Sequence, residues 1–558
     1  MPAPPRRRPA PASEDLSPAG PYRALKQAGL ALLCLGWVLI GAIGHDPWKT
    51  DDATAFGIAW EMLRTGDFLV PALGGEPYAT RPPLVYALAA VFGRVFSGVL
   101  PVHDGARLAA SALLGATLLL LTAAGIEFNG RRTRWLPALL FIGCVGLWDR
   151  GHLLSPELGL LAGIAGALYG IALAQRRPVA GGAVIGGAAA FAFLAHGFAG
   201  PLWIAVTLCL LPVASGRYRH RDYARTVAVA AALGIAFAAA WPVALSFVAP
   251  GHLAAWWAAQ LPGGIASLFS DPLFLAKNLP WFAWPVLPLA LWTLWTRGRG
   301  FNGGLNTPAV VAPGVLAAVI AVALVAGPEP RGALALPLLV PLALIAALEI
   351  DTLKRGFSAA LDWFGILTFG LLAALLWWLW VDAWLHGMAP AVARLFRDTE
   401  VGYRPPVGIA ALAISAFLTL LWLALVRPAR RSNRRAALNW AAGMTLLWGL
   451  YMTIWLPYLD SRRSYRSVAQ ALAAQLPATG CVASRRLGEP QRALFDYFAG
   501  LRTVREELRP DHGCPMLLVQ HGRTVGANAP AQGWTAAWTG RRQGDDTELY
   551  VLYTRTAP

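Results

Sequence analysis

Cysteine is scarce in this chain of 558 residues: there are five, and none stands in a Cys-x-x-Cys or similar metal-ligand spacing. Three of them, Cys34, Cys144 and Cys209, fall inside apolar runs, where a thiol serves as a packing group. The familiar phosphate and nucleophile signatures are missing as well. The chain has no P-loop, no Rossmann glycine fingerprint and no Gly-x-Ser-x-Gly elbow. No internal repeat of the kind that builds transporters is visible. No small-residue cleavage site follows the first apolar run, so that run reads as a retained membrane segment rather than a cleaved signal.

What the chain does have is apolar length. It is 56% hydrophobic with a mean hydropathy of +0.50, more than a soluble domain of this size needs. Runs of about 18–22 residues recur from Gly29 to Leu456, each able to cross ~30 Å of hydrocarbon. Thirteen spans are expected, at 27–46, 105–126, 134–148, 158–175, 179–195, 200–214, 226–248, 276–296, 308–327, 333–350, 362–385, 407–426 and 437–457. The expected fold class is therefore a polytopic α-helical membrane protein. Its parts are a tail at 1–26, a membrane domain at 27–457 and a polar C-terminal domain at 458–558.

The net charge of +17 could suggest nucleic acid, but the bases sit in short loops between spans. Arg6-Arg7-Arg8, Arg131-Arg132, Arg176-Arg177, Gly216 to Arg225, Arg297 and Arg299, Lys354-Arg355 and Arg427 to Arg435 all fall on one side of the threading. By the positive-inside rule that side is cytoplasmic, and no nucleic-acid partner is expected. An odd number of spans then puts the N-terminus in the cytoplasm and the C-terminal domain outside.

One apolar stretch, Pro82 to Phe96, is short and interrupted by Arg94. As a crossing it would invert every later loop, so it is expected as an amphipathic helix in the outer interface. Phe56, Ala59, Trp60 and Leu63 also fall on one helical stripe. The first outer loop, 47–104, should thus carry two helices parallel to the membrane, and a long structured loop is often functional. In the C-terminal domain, 464–476 reads as an amphipathic helix and a second helix is expected around Ala493 to Phe498. The stretches 481–484, 515–520 and 548–554 read as strands, and the alternation predicts a small α/β domain. Cys481 and Cys514 flank two of those strands. Outside the cytoplasm they could form a disulfide, with two free buried thiols as the alternative.

The stretch from Thr50 to Leu88 resembles a known pattern. Asp51-Asp52, Glu61-Met62, Gly66-Asp67-Phe68, Pro71, Gly75, Tyr78 and Arg81-Pro82-Pro83 match in order the first outer loop of GT-C glycosyltransferases that use polyprenyl-phosphate sugars. The likeness is to bacterial lipid A aminoarabinose transferases and their relatives, the dolichyl-phosphate-mannose protein mannosyltransferases. It implies a GT-C-like fold with thirteen spans and a periplasmic C-terminal domain in a bacterial inner membrane. It also implies a catalytic acid at Asp51, with Asp52 as its acidic neighbour. The donor would be a polyprenyl-phosphate sugar and the acceptor an envelope lipid, glycan or protein. The chain departs from the pattern at several positions. Thr80 precedes Arg81 where an acid is common, Thr54 stands where an arginine is frequent, and Glu157 stands where relatives carry Asp. His196 replaces a lysine motif, and Arg331 lacks the tyrosines that usually follow.

The chemistry follows from residue type. A polyprenyl phosphate leaves as an anion and needs positive neighbours rather than a proton donor. Arg81 is the foremost candidate because a guanidinium grips phosphate oxygens in pairs. Tyr78, Lys49, Arg150, Arg331 and His196 are further candidates for that phosphate. Ordinary snorkelling is the alternative for Lys49 and Lys277. An acceptor hydroxyl needs a base within hydrogen-bond reach; Asp51 is the choice, with a solvated loop acid as the alternative. Asp52 either raises the pKa of its neighbour or caps the following helix. Glu157 is a second catalytic candidate, or a cap on the fourth span. No cofactor is required, and dependence on a divalent ion is left open. The competing readings are a lipid-linked-sugar transporter, disfavoured because the acids gather in outer loops, and an inactive scaffold of the same fold.

Overall fold

The computed structural model describes residues 21–260, 273–327, 332–395, 402–427, 432–476, 480–511, 513–523, 530, 533–543, 545 and 547–555. The first twenty residues, with their arginine triplet, and Arg331 lie outside the described residues. Among the described residues seven helices are long and apolar enough to cross a bilayer: Val102–Asn129, Pro156–Ala174, Pro178–His196, Arg221–Val248, Pro308–Ala326, Arg355–His386 and Ile409–Val426. Pro21–Leu39, Ala199–Ala214 and Asn433–Tyr451 are continuous helices at three more of the expected positions. The protein is a polytopic α-helical membrane protein.

The other three expected spans are broken helices. Residues 134–148 form the helix Leu136–Ile142 and a 3-10 turn, Val145–Leu147. Residues 276–296 divide into Phe274–Phe282 and Val286–Gly298 around Pro285. Residues 333–350 begin as the 3-10 segment Gly332–Leu338 and continue as Leu339–Leu348. Proline removes a helix donor and crowds the preceding turn, and packed neighbours make such breaks tolerable at membrane depth.

Polar contacts sort the loops into two ends of the bundle. At one end Arg176 pairs with Glu127, and Ser215 Oγ hydrogen-bonds Asn306 Oδ1 at 2.5 Å. Arg297 pairs with Glu349 at 2.5 Å and Arg434 with Asp351, also at 2.5 Å. The arginine-rich loops therefore gather together. The opposite end holds the first loop, the turn at 149–155, the end of the helix Pro178–His196, and the C-terminal domain.

The first span stops earlier than expected. After Leu39 the chain runs irregularly to Thr50, with Gly41 and Gly44 at φ 85° and 93°. Such left-handed backbone favours glycine. The helices Asp51–Thr65 and Leu84–Phe96 follow, joined through the hairpin β1 (Ala72–Leu73) and β2 (Glu76–Pro77). Its turn residues, Gly74 and Gly75, both have positive φ, as a two-residue primed turn requires. Burial on Asp51–Thr65 is wider than the expected stripe. Phe56 and Ala59 are buried, Trp60 and Leu63 only half-buried, and Ala53, Ala55, Gly57 and Ile58 are buried too. The helix is covered on a second face by the C-terminal domain.

That domain is a five-stranded sheet with helices on one face. Its strands are β3 (Val482–Arg485), β4 (Thr503–Arg505), β5 (Met516–His521), β6 (Trp534–Gly540) and β7 (Leu549–Arg555), in the order β4-β3-β5-β7-β6. The first three run parallel, and β7 is antiparallel to both neighbours. Alternation divides each strand between two layers. Val482, Leu518, Tyr550 and Leu552 pack on Val468, Leu472, Leu494 and Phe495 of the helices Arg466–Ala473 and Glu489–Ala499. Ala483, Leu517, Val519 and Val551 form the other layer. Cys481 and Cys514 precede the paired strands β3 and β5 and are joined by a disulfide, with Cα atoms 5.2 Å apart. Ala53 of the first loop is part of the helix-side core. A Cβ on Gly57 would lie 2.4 Å from Ala493 Cβ. The domain and the first loop thus share a close-packed interface.

Candidate active site

The two adjacent acids of the first loop occupy different worlds. Asp51 opens the helix Asp51–Thr65 and is exposed; the Thr50 hydroxyl lies 3.5 Å from its Oδ1. Asp52 is 1% exposed and does not cap that helix. Its Oδ2 accepts from the Trp48 N–H at 3.0 Å and from Arg107 at 3.4 Å, and its Oδ1 accepts from the Leu154 N–H at 3.2 Å. Asp52 therefore clamps the first loop to the second. Arg107, itself 2% exposed, also donates to Asp104 and to the carbonyls of Ala42, His45 and Asp46. A buried carboxylate persists only when paired and hydrogen-bonded in this way.

Three residues beyond Leu154 the chain reaches Glu157, in the first turn of Pro156–Ala174. Glu157 Oε1 lies 3.9 Å from the Arg81 guanidinium and 3.6 Å from His196 Nε2. Arg81 Nη1 is 3.2 Å from both the Nδ1 and the carbonyl oxygen of His196. Nδ1 facing a guanidinium must be the acceptor, which leaves the proton on Nε2, toward Glu157. Glu157 Oε2 and His196 Nε2 are buried and make no hydrogen bond. The structure thus brings Arg81, Glu157 and His196 into one cluster, and the Asp52–Leu154 bond ties Asp51 to the loop that delivers Glu157. Tyr78 stands beside it. Burial raises its hydroxyl to about 12, with Glu489 adding to the effect and Thr80 and Arg81 opposing it.

The remaining expected residues lie elsewhere. Lys49 is ion-paired with Glu548 of the C-terminal domain. Arg150 lines a separate cavity of about 480 Å³ with Asp149, Asn278, Phe282 and Gly332, and its guanidinium lies 5.9 Å from the centre of the Phe282 ring. Arg331 falls outside the described residues. Among the described residues no group of three or more His, Cys, Asp or Glu side chains is arranged to hold a metal ion.

Several residues of the site were not singled out from the sequence. Arg107 had a signal: an arginine at the mouth of an apolar span, one turn after Asp104, is costly unless partnered. Gln260, whose side chain donates to the Thr80 carbonyl at 3.1 Å and lies against Gly197, had none. It reaches across from the helix Pro250–Gln260, and no local pattern announces the contact. The same is true of Asp460, which accepts from the Asp46 N–H at 2.9 Å and the Trp48 indole at 3.0 Å.

No family model matches the chain. Its sequence is similar to enzymes named undecaprenyl phosphate-α-4-amino-4-deoxy-L-arabinose arabinosyl transferase. One from Pseudomonas fluorescens (strain Pf0-1) is 26% identical over 281 residues, 46% of this chain and 48% of the relative. One from Sodalis glossinidius is 27% identical over 291 residues, covering 48% and 50%. One from Aeromonas salmonicida is 24% identical over 492 residues, covering 80% of each. The chain spans about half the length of the first two of these relatives. Among solved structures, ArnT from Cupriavidus metallidurans in the apo state superposes with a TM-score of 0.69 at 16% identity, covering 95% of this chain and 98% of that one. The same protein bound to undecaprenyl phosphate gives 0.67 at 16% identity, covering 96% and 98%. The chain shares the GT-C membrane fold of ArnT, as the pattern at Thr50 to Leu88 implied.

Proposed function

We propose that the protein is an inverting glycosyltransferase that moves a sugar from an undecaprenyl phosphate carrier to an envelope acceptor, with lipid A as the first acceptor to test. The carrying observation is the cluster of Arg81, Glu157 and His196, tied through Asp52 and Leu154 to the exposed Asp51. Arg81 is held from one side by His196 and faces a carboxylate at 3.9 Å that offsets its charge. An arriving phosphate competes for the same guanidinium and can offer it two oxygens. Asp51 takes the proton of an acceptor hydroxyl as it attacks the anomeric carbon, or orients the acceptor when that group is a phosphate. The carrier leaves as its phosphate anion, and one displacement inverts the anomeric centre. The relatives named for transfer of 4-amino-4-deoxy-L-arabinose support that sugar as the first donor to test.

The arginine-rich end faces the cytoplasm on this reading, and the site and C-terminal domain face the periplasm. The experiment is transfer by purified protein from an undecaprenyl-phosphate-linked aminoarabinose to lipid A, followed by mass spectrometry. Asp51→Asn should abolish transfer while undecaprenyl phosphate still binds. Arg81→Ala should weaken that binding by at least tenfold, the loss of one charge-assisted pair at about 1.5–3 kcal/mol. Full transfer by Asp51→Asn would overturn the base. Unchanged affinity in Arg81→Ala would remove it from the phosphate.

A further inference from the structure

The mechanism above assigns no role to Glu548, a buried carboxylate of the C-terminal domain. Glu548 is 4% exposed and stands immediately before strand β7. Its Oε2 accepts from the Tyr465 hydroxyl at 2.7 Å and the Tyr550 hydroxyl at 2.6 Å. Its Oε1 accepts from Gln491 Nε2 at 3.2 Å and from the ammonium of Lys49. Burial alone would raise this carboxyl; the bonds from Lys49, Tyr550 and Tyr465 instead hold it below its ordinary value. Three of its four donors belong to its own domain and fix its position. The fourth, Lys49, arrives from the first loop, two residues before Asp51.

That arrangement gives Lys49 a different task from gripping phosphate. Its side chain is 36% exposed, so an unpaired ammonium there could stay hydrated. Instead it crosses to a carboxylate already supplied with donors. Two further contacts fasten the same short segment: Arg463 lies 4.6 Å over the Trp48 ring, and Arg466 pairs with Asp46. The segment 46–49 is thereby gripped by residues that follow the last span, while Asp51, just beyond it, is exposed.

We propose that Glu548 is a positioning residue for the transferase reaction, acting through Lys49 to hold Asp51 at the reaction centre. This rests on the function proposed above. The C-terminal domain then contributes to the chemical step through the position of Asp51. A misplacement of about 1 Å at a catalytic group is enough to cost up to about 100-fold in rate.

The test uses full-length purified protein, with turnover measured on undecaprenyl-phosphate-linked aminoarabinose and lipid A, and binding measured with undecaprenyl phosphate alone. Glu548→Gln keeps an acceptor for the tyrosines and removes the charge. Lys49→Met removes the ammonium and keeps the stem. Each should lower kcat by about 10–100-fold and leave undecaprenyl phosphate affinity within twofold. The double variant should be no worse than either single one, because both break the same link. Lys49→Arg should recover part of the loss. Wild-type kcat in Glu548→Gln, or additive losses in the double variant, would overturn the proposal. So would weaker undecaprenyl phosphate binding in Lys49→Met, which would make Lys49 a phosphate ligand. If Glu548→Gln fails to fold, the half-exposed Lys49→Met decides alone. Asp51→Asn is run in parallel: if wild type transfers and Asp51→Asn does not, a normal Glu548→Gln refutes only the positioning role. If wild type itself does not transfer this sugar, the functional reading fails first.

Discussion

Replacing Asp52 separates architecture from chemistry in the paired acids. Asp52→Ala strips the acceptor from two buried backbone N–H groups, those of Trp48 and Leu154, and from one arm of Arg107. Each orphaned buried donor costs about 1–3 kcal/mol. Breaking a fully buried pair costs about 3–5 kcal/mol, but Arg107 keeps Asp104 at 3.1 Å, so its share falls below that range. The two backbone donors alone come to about 2–6 kcal/mol, or roughly one and a half to four powers of ten in the unfolding equilibrium. Asp52→Asn should be milder, at about 1–3 kcal/mol. Its single carbonyl can still serve Trp48 and Arg107, while its amide confronts the Leu154 N–H. Asp51→Asn, on an exposed side chain, should stay within about 0.5 kcal/mol of wild type. Denaturant unfolding of the three purified variants in detergent, with transfer measured on the same samples, reads both axes. The expected order of stability is Asp51→Asn, Asp52→Asn, Asp52→Ala, with Asp51→Asn inactive at full stability. Wild-type stability in Asp52→Ala would refute the clamp, and destabilisation of Asp51→Asn equal to Asp52→Ala would refute the division of roles.

Other consequences follow from the interface between the first loop and the C-terminal domain. Gly57→Leu forces a side chain into Ala493, and overpacking should cost about 1–3 kcal/mol; limited proteolysis should release the domain more readily. Reducing Cys481–Cys514, or replacing both by serine, opens a link of sequence separation 33 and should lower the stability of the domain by up to about 3.5–4 kcal/mol on the loop-entropy account. Unfolding midpoints with and without reductant check this. For Asp46, burial would raise the carboxyl, but hydrogen bonds from Arg466 and Ser464 hold it below its ordinary value. Its contribution is therefore complete above the unfolded carboxyl pKa of about 4 and is lost as pH falls through the lower folded value. Unfolding between pH 3 and 5 should show this acid-dependent loss in wild type and less of it in Asp46→Asn.

Much of the architecture was legible because its causes are local. The length of each apolar run marks a membrane helix but not where it breaks: the breaks fall at 143–144, at Pro285 and in the segment around Pro337, whereas Pro212, Pro242 and Pro313 lie inside continuous helices. Short apolar runs marked β3, β5 and β7 of the C-terminal domain, whereas β4 is only three residues long and β6 pairs with a register shift between Ala536 and Trp538. The spacing from Asp51 to Arg81 carried the likeness to a glycosyltransferase loop. The sequence by itself thus determined the membrane class, the approximate positions of the helices, and which loop holds the candidate chemistry. Which of two neighbouring acids is buried was not legible. That depends on Arg107, 55 residues away, and Leu154, 102 residues away, arriving at one point. The pairing of Arg81 with Glu157 and His196, and of Lys49 with Glu548, was decided in the same way. Charge partners far apart in the chain carry no periodicity, and only the packing of helices against one another and against the C-terminal sheet brings them within reach.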